Sequence, residues 1–408
     1  MKFGKTVWRP HQEALMVKPR VHVCLLYNTA TANVTPALDP QFRPEEVILV
    51  FGSRQKYRAN CIESVLNNAG IKVTRWQLAH IFNSEYVRDR ILELVVKREK
   101  DDLALNASGG TRPMVVGAYE VFAELGRPVF YVHPETDLVT WLHRKDLPAF
   151  NCADRIKLPE FLLIHGAAQV DTGDAQGIPK NLRRLTIQLA QASASMSQAL
   201  AALNWLAQNA DNPDLASPEL DARQIVWKEL HWLLNNFKTE GLLSVSGNRV
   251  KFRDESARFY ANGGWLEQHV FGILFGLRKE FPEIQDLGRG IKFVRKSDGK
   301  MVGNELDVAF LANNRCYMVE CKTKRIAMRS SERFEPDSPG ADALYKLDTL
   351  KWLLGENRTR AMLVSYRNLP RWDRARAHDL GIAVCAGQQL ASLESMLRLW
   401  IGSSGRPL

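Results

Sequence analysis

Short unbroken apolar runs, separated by stretches with helical spacing, fill the first third of the chain. Residues 21–27 (VHVCLLY) and 45–53 (EEVILVFGS) are apolar without alternation, the pattern of strands buried on both faces of a parallel sheet. Ile62, Val65, Leu66 and Ala69 stand at i, i+3, i+4 and i+7 and predict an amphipathic helix over 57–69, ended by Gly70. A third strand is predicted in IKVTRWQLA (71–79), and Val87, Ile91, Leu94 and Val95 predict a helix over 84–100. DDLALNASGG supplies a fourth strand, VVGAYEVFAELG a helix and RPVFYVH a fifth strand. This alternation predicts an α/β fold with a mostly parallel sheet covered on both faces.

The pattern then changes. Residues 137–170 read as a short hairpin-like extension (TDLVTWL, FLLIHG), and DTGDAQGIPKN (171–181) is the best linker candidate. A mainly helical stretch follows, and then DARQIVWKELHWLLNNFKTEGLLSVSGNRVKF predicts a helix and a hairpin turned at Ser246-Gly247-Asn248. That pair fits a winged-helix element or a plain connecting module, since nothing marks a recognition helix. The expected division is a basic arm over 1–20, a first α/β domain over 21–170, a connector over 171–255 and a last domain over 256–408.

Composition narrows the class. A chain of 408 residues exceeds the usual single core, and 45% hydrophobic with 25% charged residues is ordinary for a globular protein. Lys and Arg outnumber Asp and Glu by 55 to 45, a net charge of +10 that favours polyanionic partners. The six cysteines show no zinc-ligand spacing and fit free thiols in a reducing cytoplasm. No signal-peptide core and no run of about 18 apolar residues occurs, so a cytoplasmic protein without membrane contact is expected.

Ligands of parallel sheets collect at the carboxyl ends of the strands, where three loops share one rim: YNTATANVTP, FGSRQKYR and NASGGTRP. They offer Asn28, Thr29, Asn33, Ser53, Arg54, Ser108, Gly109, Gly110, Thr111 and Arg112, donors with no acidic residue among them. Gly109 and Gly110 free the backbone N–H groups and Pro113 suits a helix start, which together read as an anion-binding loop or as a tight strand-to-helix turn. Neither a dinucleotide fingerprint nor a Walker A loop is present.

The most specific signal is GNELDVAFLANNRCYMVECKTK (303–324). Leu306, Val308 and Phe310 share one strand face and leave Asp307 on the other, with Glu305 and Ala309. After a turn at 312–315, Glu320 and Lys322 share a face of the next strand, so a hairpin can gather Asp307, Glu320 and Lys322. Two carboxylates, with the backbone carbonyl of Cys321, suit Mg²⁺ or Mn²⁺, and a neighbouring lysine suits orientation of a water and stabilisation of phosphate charge. An ordinary surface Glu/Lys pair is the plainer alternative. Upstream, Glu267 lies on a helix side with Val270, Phe271 and Leu274, either facing a basic or metal-bound partner or merely at a boundary. In ADALYKLDTLKWLLG, Tyr345 or Lys346 can reach the site, whereas His269 and His378 read as helix-face or core residues.

The order Glu267, Asp307, Glu320, Lys322 resembles the PD-(D/E)xK nuclease superfamily, with Leu306-Asp307 in place of its Pro-Asp pair. SGGTRPM opening a helix after the fourth strand looks like a CARF domain, the Rossmann-like sensor of CRISPR-linked proteins. Together they resemble CRISPR ancillary nucleases from about Val21 onward. The resemblance implies a CARF domain over 21–170, a restriction-endonuclease-like α/β domain over 256–408, and a homodimer. Cyclic oligoadenylate, most often cyclic tetra-adenylate, would bind through Asn28, Thr29, Ser53, Ser108, Gly109, Gly110, Thr111 and Arg112. It would activate cleavage of single-stranded RNA or DNA, or nicking of supercoiled DNA. Asp307 and Glu320 would be metal ligands and Lys322 the catalytic lysine. Alternatives are a CARF-type transcription regulator using the winged element, or a restriction-type endonuclease without ligand control.

Overall fold

The computed structural model describes residues 18–134, 136–144, 146–297, 300–323, 339–355 and 358–403, so most of the predicted basic arm over 1–20 lies outside it. The chain forms two compact units, the first running to Ile156 with Leu163–Gly166 and the second comprising Lys157–Leu162 with Ala167 onward.

In the first unit β1 (Val21–Leu26), α1 (Thr31–Leu38), β2 (Glu46–Gly52), α2 (Lys56–Asn68), β3 (Lys72–Leu78), α3 (Ser84–Lys97), β4 (Leu103–Asn106), α4 (Arg112–Glu124), β5 (Val129–Val132), β6 (Leu138–Trp141) and β7 (Phe150–Asn151) follow in order. They build a seven-stranded sheet in the order β3-β2-β1-β4-β5-β6-β7. It is parallel from β3 to β5, and β6 and β7 are antiparallel additions. Every residue of β1, β2 and β4 is buried, as their unbroken apolar runs require, whereas β3 sits at the edge and is mostly open. The strand order reverses between β1 and β4, where Cys24 stands opposite Asn106. That reversal is the crevice in which parallel sheets hold ligands, and the loops after β1 and β4 flank it.

Two readings of this unit change. The stretch read as a loop after the first strand contains α1, whose first seven residues are buried and which carries Pro36 internally. Its Thr, Asn, Val and Pro content hides it from propensity, and packing holds it. FLLIHG, read as extended, is mainly helical: α5 (Leu158–Ile164) spans the division between the units, with Pro159 in its first turn.

The second unit continues with β8 (Ala167–Asp171), α6 (Lys180–Ala192), α7 (Ser197–Gln208), α8 (Ala222–Val226), α9 (Lys228–Thr239), β9 (Leu243–Ser246), β10 (Arg249–Phe252), α10 (Glu255–Phe259), α11 (Trp265–Leu277), β11 (Ile284–Ser297), β12 (Lys300–Ala312), β13 (Arg315–Lys322), α12 (Pro339–Leu353), β14 (Thr359–Ser365), α13 (Arg371–Asp379), β15 (Ala383–Ala386) and α14 (Leu393–Gly402). Six strands form the sheet β15-β14-β13-β12-β11-β8, and β9 and β10 form the predicted hairpin around Gly247-Asn248. One apolar core joins α6, α7, α9, α11 and α14 to the sheet through Leu203, Phe237, Trp265, Phe271, Phe310 and Trp400. The segment 171–181 is docked rather than an open tether. Asp174 bridges Arg289 through the backbone and pairs with its guanidinium at 2.6 Å, and a Cβ at Gly173 would come within 2.0 Å of the Arg289 carbonyl. No described helix is long and apolar enough to cross a membrane.

Candidate functional site

The turn between β12 and β13 is made by Asn313 and Asn314, both with positive φ (50° and 53°), the backbone of a two-residue type I′ turn. It sets the register Ala312 opposite Arg315 and Val308 opposite Val319. One step further along, Asp307 and Glu320 come side by side at the end of the ladder. Asp307 Oδ2 accepts the Cys321 N–H at 2.7 Å, which fixes the carboxylate against the Glu320–Cys321 peptide, next to the Cys321 carbonyl expected to be a ligand.

Glu320 is buried, and both its oxygens are taken: Lys322 Nζ lies 2.7 Å from Oε1 and Lys346 Nζ, from α12, lies 2.7 Å from Oε2. Of the two downstream residues the sequence offered, Lys346 therefore reaches the site. Tyr345 is half exposed and lies under the Arg376 guanidinium, 5.2 Å from its ring centre. Helical phase separates the two, since adjacent residues lie about 100° apart around an axis of 3.6 residues per turn.

The site is a pool of negative charge in a partly dry setting. Burial, then the charge of Glu320, raises the Asp307 carboxyl to about 7, against the Cys321 hydrogen bond and the two lysines. Burial, then Asp307, raises Glu267 on α11 to about 8, with Glu305 and Glu320 adding to the effect and Arg289 opposing it. The helix thus turns Glu267 toward the acidic site rather than a neutral boundary. Burial works to lower the Lys322 ammonium, but Glu320 and Asp307 together outweigh it and leave it raised. The Cys321 thiol is held well above its ordinary value by burial and the surrounding carboxylates, so it stays neutral. His269 is pushed down to about 4 by burial and is a neutral core-side residue, as its sequence context suggested.

The gathered carboxylates are hard oxygen donors of the kind that suit Mg²⁺ or Mn²⁺. Among the described residues no three His, Cys, Asp or Glu side chains form a closed metal cage. The donor set that fits is two carboxylates with a backbone carbonyl.

Behind the site, Gly263 has φ 113° in the wide turn before α11, and a Cβ there would lie 2.0 Å from Thr323 Oγ1. This close approach packs the start of α11 against the end of β13, linking Glu267 to Lys322. Nothing in the sequence pattern signals it.

At the rim of the first unit, the donors expected from the sequence separate into two groups. Asn28, Thr29, Ser53, Arg54 and Arg112 are exposed. The others serve the loop itself. Ser108 Oγ donates to Asn106 Oδ1 at 2.6 Å and accepts from the Val132 N–H at 2.8 Å. Thr111 is buried and caps α4, accepting the Met114 N–H at 3.2 Å and donating to the Ile81 carbonyl at 2.5 Å. Asn33 donates to the carbonyls of Leu25 and Thr29 at 2.9 and 3.2 Å. Gly109 is required by contact, since a Cβ would meet the Leu25 carbonyl at 2.2 Å, and Gly110 has φ 82°. Hydroxyl and amide side chains bond to the backbone as readily as to ligands, and sequence alone does not separate the two uses. Arg58 was not singled out. Its guanidinium donates to the carbonyls of Tyr27 and Asn28 at 3.3 and 2.6 Å and holds the loop after β1.

Residues 21–161 match the family model of the Card1 CARF domain, and residues 254–403 that of the Card1-like endonuclease domain. The crystal structure of protein VC1899 from Vibrio cholerae is 32% identical, with a TM-score of 0.85 over 95% of this chain and 99% of that chain. Can2 from Sulfobacillus thermosulfidooxidans, solved in complex with cyclic tetra-adenylate, shares the fold at 24% identity and a TM-score of 0.74, covering 94% of this chain and 97% of that one. A type III CRISPR defence DNA nuclease activated by cyclic oligoadenylate aligns at 17% identity and a TM-score of 0.51, over 90% of this chain but 48% of that chain. No curated protein matches. With its reversed-order parallel sheet followed by a carboxylate and lysine site on a second sheet, the chain belongs to the Card1-like family, pairing a CARF domain with an endonuclease domain.

Proposed function

We propose that this protein is a divalent-metal-dependent nuclease of CRISPR antiviral defence, acting as a homodimer and switched on by a cyclic oligoadenylate, with cyclic tetra-adenylate the first to test. The observation that carries the chemistry is the side-by-side placement of Asp307 and Glu320 with Lys322 on Glu320 Oε1. Asp307, Glu320 and the Cys321 carbonyl would hold Mg²⁺ or Mn²⁺, which when bound supplies Lewis-acid activation of water and charge neutralisation at the phosphate. Lys322, left ionised by its acidic neighbours, orients the attacking water and stabilises the charge growing on the phosphodiester. Glu267, its carboxyl raised by burial and by Asp307, would hold or relay a proton on the site's edge.

For the sensor, the exposed Asn28, Thr29, Ser53 and Arg112 are the groups proposed to meet the cyclic nucleotide. Ser108, Gly109, Gly110 and Thr111 shape the loop and present its backbone N–H groups at the start of α4. The Can2 complex with cyclic tetra-adenylate supports this choice of ligand. The test mixes purified protein and Mn²⁺ or Mg²⁺ with single-stranded RNA, single-stranded DNA and supercoiled plasmid, with and without cyclic tetra-adenylate. Cleavage only with activator is expected. Equal cleavage in both conditions would remove the switch, and none with any cyclic oligoadenylate would remove the enzyme.

A further inference from the structure

β11 and β12 are the longest strands of the second unit, at 14 and 13 residues, and they outrun their neighbours. Among the described residues, the β13 ladder runs along β12 only from Val308 to Ala312 with Asp307 beside Glu320 at its end, leaving the edge of β12 from Lys300 to Leu306 without a strand partner. On the other side β8 reaches only Lys292 to Arg295 of β11. β8 therefore lines the β11 edge as far as Arg295, with Asp171 opposite Lys292, and beyond Arg295 the two strands continue as a ribbon.

Register decides which side chains share the nuclease face. Lys292 stands opposite Glu305, Val294 opposite Gly303 and Lys296 opposite Met301. Glu305 is two residues from Asp307, so Lys292, Lys296, Met301 and the side-chain-free Gly303 all lie on the face that carries Asp307. Lys292, Lys296, Lys300, Met301 and Val302 are exposed, the last two at 57% and 41%. No ion pair among the described residues engages Lys292, Lys296 or Lys300. Residues 291–305 contain four basic residues (Lys292, Arg295, Lys296, Lys300) against the acidic Asp298 and Glu305, and Asp171 of β8 and Glu305 flank Lys292 on the same face. From Asp307 to Met301 the face runs six residues, about 20 Å at roughly 3.4 Å per residue.

From this arrangement we propose that the β11–β12 ribbon is a substrate-binding track, on which Lys292 and Lys296 hold backbone phosphates of the nucleic acid while its scissile bond lies at Asp307 and Glu320. The proposal rests on the nuclease reading above and adds where the substrate lies. Its length matches about six base steps at roughly 3.4 Å of rise each, and point charges on flexible stems give affinity without sequence preference. The competing explanation is that edge lysines only prevent strand pairing between molecules.

The test uses full-length protein bearing Lys322→Ala, so that binding is read without cleavage, and labelled single-stranded and duplex oligonucleotides in fluorescence anisotropy across a salt series. Adding Lys292→Gln and Lys296→Gln is expected to weaken binding at least about fivefold at low salt. It should also flatten the plot of log affinity against log salt by about one to two, from roughly 0.7 to 0.9 per lost phosphate contact. Lys292→Arg with Lys296→Arg should bind as the parent does, and matching thermal midpoints would show that the fold is intact. Affinity within twofold and an unchanged slope in the glutamine variant would overturn the track. Failure of the parent itself to bind any nucleic acid would instead overturn the nuclease reading.

Discussion

Lys346 and Glu320 face each other at 2.7 Å, so that the carboxylate expected to hold a divalent cation has one oxygen on Lys346 and the other on Lys322. A cation approaching Glu320 must displace or share at least one of these ammonium groups. Lys346→Met should therefore raise Mn²⁺ affinity, by about tenfold if the interaction with a buried carboxylate is near 1.4 kcal/mol. Isothermal titration of metal into the variant and the parent reads this directly. An unchanged affinity would make Lys346 a bystander, while Lys346→Arg should behave as the parent.

Lys322→Ala should reduce cleavage by at least roughly a hundredfold, the scale for losing one group that stabilises transition-state charge. Binding of cyclic tetra-adenylate should be unchanged. Cleavage kinetics and ligand titration on the same preparation separate the two, and normal cleavage would remove Lys322 from the chemistry.

The rim residues should divide by their bonding. Thr111→Ala removes a helix cap and should cost about 1 kcal/mol of stability, seen as a lower thermal midpoint. Arg112→Ala, at an exposed position, should leave stability unchanged and weaken cyclic tetra-adenylate binding roughly tenfold, the loss of one hydrogen bond to a charged group. A stability loss from Arg112→Ala without an affinity change would reverse the assignment.

Asp307 near 7 and Glu267 near 8 give a defined pH dependence. In the unfolded chain both carboxyls titrate near 4, so between about pH 4 and 8 the metal-free folded state holds more protons than the unfolded state, and stability falls as pH rises. The contribution is present in full below about 4 and is lost as pH rises through 7 to 8. In EDTA the thermal midpoint should drop between pH 6 and 8.5 more in the parent than in Asp307→Asn with Glu267→Gln. Cation binding should tighten over the same range and release protons, measurable in buffers of different ionisation heat.

Gly263→Ala should damage the site from behind. Both the positive φ and the approach of Thr323 exclude a Cβ, so α11 and the end of β13 must separate. Reduced cleavage with intact cyclic tetra-adenylate binding is the expected pair of results.

The alternation of buried strands and amphipathic helices was legible because local geometry sets it: β1 and β2 follow from unbroken apolar runs, α2 and α3 from a spacing of 3.6, and the hairpin carrying Asp307, Glu320 and Lys322 from a spacing of two. The residue types of the candidate site were legible too, since a carboxylate inside an apolar strand calls for a chemical reason. Tertiary structure decided the rest. Helix α1 is held by burial against its own poor propensity, and 171–181 looks like a linker until Asp174 meets Arg289. Whether Ser108 and Thr111 face a ligand or their own backbone depends on a neighbouring carbonyl or N–H that lies far away in sequence, at Ile81 and Val132. That the downstream helix would reach the site was expected, but which of Tyr345 and Lys346 would stand on Glu320 was decided by how α12 packs, which spacing along the chain does not carry.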